Sequence, residues 1–155
     1  MPIDLLFRLA NLAALIGWAM LILLPRWALL RHLSLAGIVG GLCVLYATLI
    51  AVYFFPAGGN FFSFAGVQQL FASPMVLLAG WLHYLAFDLF VGWWIAQRLD
   101  ASGVSRWLQA PLLVTTFMFG PFGLLLAGAV LTTTADRAAL APQVLRGHAS
   151  HGNAA

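Results

Sequence analysis

Two side chains in this sequence have the chemistry to move a proton in an apolar setting, Asp88 and His83, and they stand five residues apart. A carboxyl kept out of water holds its proton and can donate it, and a neutral imidazole can accept one. Together they supply the acid and base of a proton-transfer isomerisation. At 100° per residue they point about 140° apart on a helix, so they do not form a facing pair. Tyr84, four residues before Asp88, is its nearer neighbour on the same side. The catalytic candidates are therefore Asp88 and His83. The candidates for binding a substrate are Trp81, Tyr84, Phe87, Asn11, Trp18 and Pro121, and no metal ligands are expected because Cys43 is the single cysteine.

Such chemistry depends on what surrounds it, and composition decides that. Hydrophobic residues make up 63% of the 155 and charged residues 7%, against roughly 45–50% and about 25% in a soluble domain. Four acids (Asp4, Asp88, Asp100, Asp136) and seven arginines cannot give so apolar a chain a charged exterior, so lipid must be much of its solvent. The net charge of +3 comes without any run of adjacent bases, which excludes a nucleic-acid groove.

A helix needs about 20 apolar residues to cross the hydrocarbon. Four stretches qualify, at about 5–24, 33–55, 75–97 and 112–131, and none shows the two-residue alternation of a β-barrel. The expected fold is an all-α integral membrane protein, four helices running up-down-up-down, in one domain over 1–131. Between spans two and three, Phe64, Val67, Leu70 and Phe71 share a helical face, which predicts a short interfacial helix; a plain surface loop is the alternative. The polar tail, 132–155, is expected to be disordered, with His148 and His151 a chance pair. Arginines cluster in the loops 25–32 and 98–110 and are absent between 56 and 74. That places those two loops in the cytoplasm and both termini outside. The first span lacks a basic segment ahead of it and reads as a retained helix.

Depth then sorts the polar groups. Asp88 lies near the midplane, level with Trp18, Gly41 to Cys43, and Gly120 with Pro121. Pro121 has no amide to offer the Phe117 carbonyl, and a protonated Asp88 could donate there instead. His83 lies near the level of Asn11, with Arg8 able to snorkel outward or turn toward both. An intramembrane acid is a functional candidate by default; the competing reading is structural glue worth roughly 0.6–2 kcal/mol per interhelical hydrogen bond. Phe87 and Phe90 either face lipid or wall a groove for an isoprenoid or polyene. The small-residue pairs Gly37 with Gly41, Ala36 with Gly40, Thr116 with Gly120 and Gly123 with Ala127 mark expected helix contacts.

The run Trp81-Leu82-His83-Tyr84-Leu85-Ala86-Phe87-Asp88-Leu89-Phe90 resembles the pattern W-x-H-x-L-x-x-D-L-F of the neoxanthin-synthase-like membrane proteins, known from plants deficient in abscisic acid and present in bacteria. Supporting stretches are Asn11 with Gly17-Trp18, Leu24-Pro25-Arg26, Leu70 to Pro74, and Phe119-Gly120-Pro121, so the likeness covers roughly residues 5 to 131. The resemblance implies a four-span protein, in plants needed to convert violaxanthin to neoxanthin. His83 and Asp88 match the polar positions of the motif. Plant members carry Arg where Trp93 stands here, so no role of that Arg carries over.

Opening a carotenoid epoxide to an allene needs an acid at the oxygen and a base at a ring-adjacent proton, and no redox cofactor. The leading expectation is thus an isomerase, or an accessory factor, acting on a carotenoid- or isoprenoid-type molecule in a bacterial inner membrane. A non-catalytic subunit or scaffold is the second class. The third is a pigment- or haem-binding bundle with His83 as axial ligand, two ligands then requiring a homo-oligomer. No cofactor is expected beyond a bound pigment or lipid, and the expected partners are membrane lipid, an apolar small molecule and a second copy.

Overall fold

The computed structural model describes the backbone of residues 2–24 and 28–151 and the side chains of residues 2–24 and 32–134. Residues 135–155 of the expected disordered tail, His148 and His151 among them, and most of the basic loop 25–32 lie outside the described side chains. Among the described residues, five α-helices follow in order: α1 (Ile3–Leu23), α2 (Ala28–Tyr53), α3 (Phe64–Ala72), α4 (Pro74–Ala101) and α5 (Arg106–His151), with a 3-10 turn at Phe55–Ala57. No strand occurs among the described residues. Among the described residues, four helices are long and apolar enough to cross a membrane, over Ile3–Leu23, His32–Tyr53, Pro74–Ala101 and Arg106–Thr134.

Local chemistry sets the boundaries. Asp4 lies in the first turn of α1, where the helix dipole favours an acid, and the helix stops at Leu24, whose extended backbone is what a following proline imposes. Gly58, at φ 72°, closes the 3-10 turn in the left-handed conformation that glycine adopts without strain. Ser63 caps α3, its Oγ accepting from the Gly66 amide at 3.0 Å. One residue, Ser73, separates α3 from α4, which opens on Pro74, a first-turn position where the missing amide costs nothing. At 28 residues α4 is about 42 Å long. It therefore tilts or projects beyond the hydrocarbon.

The short helix expected between the second and third spans is present as α3. Gly66 and Leu70 are buried, whereas Phe64 is 78% exposed. Asn60 packs against that buried side: its backbone N–H donates to the Gly66 carbonyl at 3.3 Å, and its Oδ1 lies where a Gly66 Cβ would fall.

The chain divides into two compact units, residues 1–93 and 94–155. In the first, residues of α1 meet residues of α4 that lie 70 to 74 positions further on: Asn11 with Trp81, Gly17 with Leu89, Trp18 with Gly92. The two helices run parallel. On α2 the order reverses, with His32 beside Trp93 and Tyr46 beside His83, so α2 is antiparallel to α4. The core between these three helices includes Ala10, Ala14, Leu49, Leu82, Leu85 and Ala86. The expected contacts at Gly37, Gly40 and Gly41 are not made: a Cβ at any of them would meet nothing within 4 Å. The close approaches are at Gly17 and Gly92, because it is there that α4 presents Leu89 and α1 presents Trp18.

The second unit holds the end of α4, a turn and α5. Buried Gln109 fixes the turn, its Nε2 donating to Asp100 Oδ1 at 2.9 Å and to the Val104 carbonyl at 2.7 Å. The fourth span is not one straight helix. Phe119 has φ −140° and ψ 48°, two residues before Pro121. The break folds α5 so sharply that a Cβ on Gly123 would strike the backbone of Thr116. In a straight helix those residues lie about 10 Å apart. Gly123 and Thr116, both expected at contacts with other helices, meet each other within α5, since Pro121 cannot continue the hydrogen-bond ladder.

Candidate functional site

Most of the expected site residues lie on α4, and α4 uses its faces differently. Trp81, Tyr84 and Asp88 recur at helical spacing along one side. The Trp81 indole Nε1 donates to Asn11 Oδ1 at 3.2 Å, while Asn11 Nδ2 donates to its own Phe7 carbonyl at 2.7 Å. Asn11 thus finds its partner in Trp81, and His83, the neighbour suggested by depth, is not it. The Trp81 ring also lies 5.8 Å from Phe7 and 5.3 Å from Tyr84 between centroids. The Tyr84 hydroxyl hydrogen-bonds the Asp88 carboxyl, the intrahelical pairing that their spacing predicts. Asp88 Oδ2 is inaccessible and has no partner of its own. Further along, Trp18 is buried, its ring over Gly92.

His83 points elsewhere. Its ring stacks on Phe87 at 4.4 Å and 24°, and lies 5.5 Å from the Tyr46 ring of α2. Both His83 and Tyr46 line a half-open cavity of about 280 Å³ walled by Ile50, Phe54, Phe61, Leu70, Phe71, Val76 and Gly80. The wall is apolar apart from one imidazole and one phenol. Gly80, three residues before His83, leaves room for Phe71 of α3: a Cβ there would come within 2.6 Å of the ring. The 55–63 segment and α3 thereby cover the end of the cleft between α2 and α4.

A second cavity of about 420 Å³ lies between the first turns of α1 and α4, lined by Ile3, Asp4, Phe7, Pro74, Leu77, Leu78 and Trp81. Of the residues singled out from sequence, His83 lines the first cavity and Trp81 the second. Asp88, Tyr84, Asn11 and Trp18 line neither, Phe87 reaches the first site only by stacking on His83, and Pro121 belongs to α5 in the other unit. The structure therefore keeps His83 and Asp88 apart, as their angular spacing requires. Among the described residues no three His, Cys, Asp or Glu side chains are grouped as a metal site needs.

The ABA DEFICIENT 4-like family model matches residues 5–126, which takes in all but the first two residues of α1, the whole of α2 to α4 and the break in α5. The chain belongs to this family. None of the curated proteins and none of the solved structures compared with it matches. The family segment includes every residue of the His83 cavity, the Asn11–Trp81 bond and the Tyr84–Asp88 pair.

Sequence reasoning missed Tyr46, Gly80 and the aromatic residues Phe54, Phe61 and Phe71. A signal for Gly80 existed, since it stands one turn before His83 on the same helical face. Tyr46 offered one too, as a phenol on an otherwise uncharged span. Nothing in the pattern shows that α3 folds back over the cleft.

Proposed function

We propose that this family member takes an isoprenoid- or carotenoid-type molecule from the bilayer into the His83 cavity and acts there as an isomerase, or holds the molecule for another enzyme. The observation that carries this reading is a lone imidazole and phenol set side by side in an otherwise apolar, half-open cavity. About 280 Å³ is at the low end of ligand sites, which run from roughly 300 to 1,000 Å³. One end group of a long chain fits it, and the remainder would lie along the lipid-facing side past Phe87, which is 55% exposed.

In the isomerase reading, a proton leaves a ring-adjacent carbon for the His83 imidazole. A C–O bond of the epoxide breaks as the new double bond forms, and the oxygen receives a proton from a nearby donor. Tyr46 is the donor the cavity offers. Asp88 serves as that acid for a substrate that passes round α4, and otherwise holds Tyr84 in place. Electrons balance without a redox partner. The wider assignment is a bacterial inner-membrane protein with four antiparallel spans, loops 25–32 and 98–110 in the cytoplasm and both termini outside, associating with lipid and with a second copy.

A scaffold role is favoured by a different observation, the hydrogen bonds that join Asn11 to Trp81 and Tyr84 to Asp88. Isoprenoid and pigment profiles of a producing host separate the readings. His83→Gln and Tyr46→Phe should each shift the profile toward unconverted substrate while leaving the amount of folded protein unchanged. Unchanged profiles in both variants contradict the isomerase. Asp88→Asn keeps the shape and the acceptor for Tyr84, so an altered profile there assigns Asp88 to the chemistry and an unchanged one assigns it to structure.

A further inference from the structure

The second cavity, remote from His83, has its own chemistry. It lies where α1 and α4, running parallel, begin at the same level, so both helix starts belong to one membrane face. Its wall is apolar except for Asp4, which is exposed at the first turn of α1. Arg8 follows Asp4 by one turn, about 6 Å further along the axis. Such a spacing usually gives an intrahelical ion pair, yet among the described residues none joins Asp4 to Arg8. Asp4 thus lines a groove of about 420 Å³, and Arg8, outside its lining, stands one turn along the same helix.

We propose that this groove binds a zwitterionic phospholipid bearing an ammonium group, with the ammonium at Asp4, the phosphate at Arg8 and one acyl chain along Phe7, Leu77 and Trp81. The order of charges decides the occupant. In such a lipid the ammonium is outermost, the phosphate lies next and the chains run inward. From the start of α1, Asp4 comes first, Arg8 one turn deeper, and Trp81 of the groove wall lies at the level of Phe7 and Asn11. An anionic lipid without an ammonium would satisfy Arg8 and place negative charge beside Asp4. The Trp81 indole N–H is already committed to Asn11, so the groove offers the chain a ring and no competing donor.

Native mass spectrometry of the detergent-solubilised full chain tests this, with phosphatidylethanolamine and phosphatidylglycerol of the same acyl chains added separately. Wild type should retain one copy of phosphatidylethanolamine about fivefold more strongly than phosphatidylglycerol, the scale of one exposed charge pair. Asp4→Asn should abolish that preference, Arg8→Gln should weaken both lipids, and Leu77→Trp, at a half-exposed position, should block both by filling the groove. Equal retention of the two lipids by wild type, a preference for phosphatidylglycerol, or an Asp4→Asn variant that keeps the preference would overturn the assignment. Circular dichroism on each variant confirms that its helices are intact. His83→Gln should leave the preference intact, so this proposal and the one for the His83 cavity can fail separately.

Discussion

The seam between α1 and α4 and the cleft between α2 and α4 share one helix and solve opposite problems. Along the seam, Gly17 and Gly92 remove side chains so that Leu89 and Trp18 can close the gap, and Trp81 and Asn11 satisfy each other. Lipid gives helices no hydrophobic reason to associate, so such close packing is what holds them. Across the cleft the same helix offers His83 and Gly80 to a space that α2 and α3 surround without filling. The contrast teaches where to look for function in a chain this apolar: where packing is withheld, and not simply where a polar residue lies deep.

Substitutions can break this contrast, and the seam should respond most. Trp18→Ala removes a side chain that is 3% exposed and should cost about 3 kcal/mol in a detergent unfolding series. Gly92→Leu forces a side chain into the Trp18 ring and should cost about 2 kcal/mol by the same measurement. Trp81→Phe keeps the ring but loses the donor to Asn11, an effect of about 1 kcal/mol. Gly41→Leu should stay within about 0.5 kcal/mol, because a Cβ there meets open space. A Gly41→Leu variant as unstable as Gly92→Leu would show that α2 packs as tightly as α1, and the distinction would fail.

Much of the architecture was legible in the residues. Apolar length alone marks four spans, the shared face of Phe64, Val67, Leu70 and Phe71 marks a short helix, and the five-residue spacing of His83 and Asp88 already separates them around α4. Three things were not legible, each for a physical reason. Glycine spacing on α2 looks like a contact motif, but a Cβ-free surface packs only if a neighbour arrives, and at Gly37 none does. Gly123 reads as an interhelical contact until Pro121 and the break at Phe119 fold it onto Thr116. The cavity depends on Asn60 clamping α3, a long-range placement that helical periodicity does not encode.

The most direct test of the His83 cavity is mass spectrometry of the apolar molecules that co-purify with wild type and with Gly80→Leu. The larger side chain competes with Phe71 for the space beside His83 and shrinks the cavity. An isoprenoid-type molecule retained by wild type and lost from a folded Gly80→Leu variant is the predicted result. Retention of the same molecule at the same level by both proteins would contradict it.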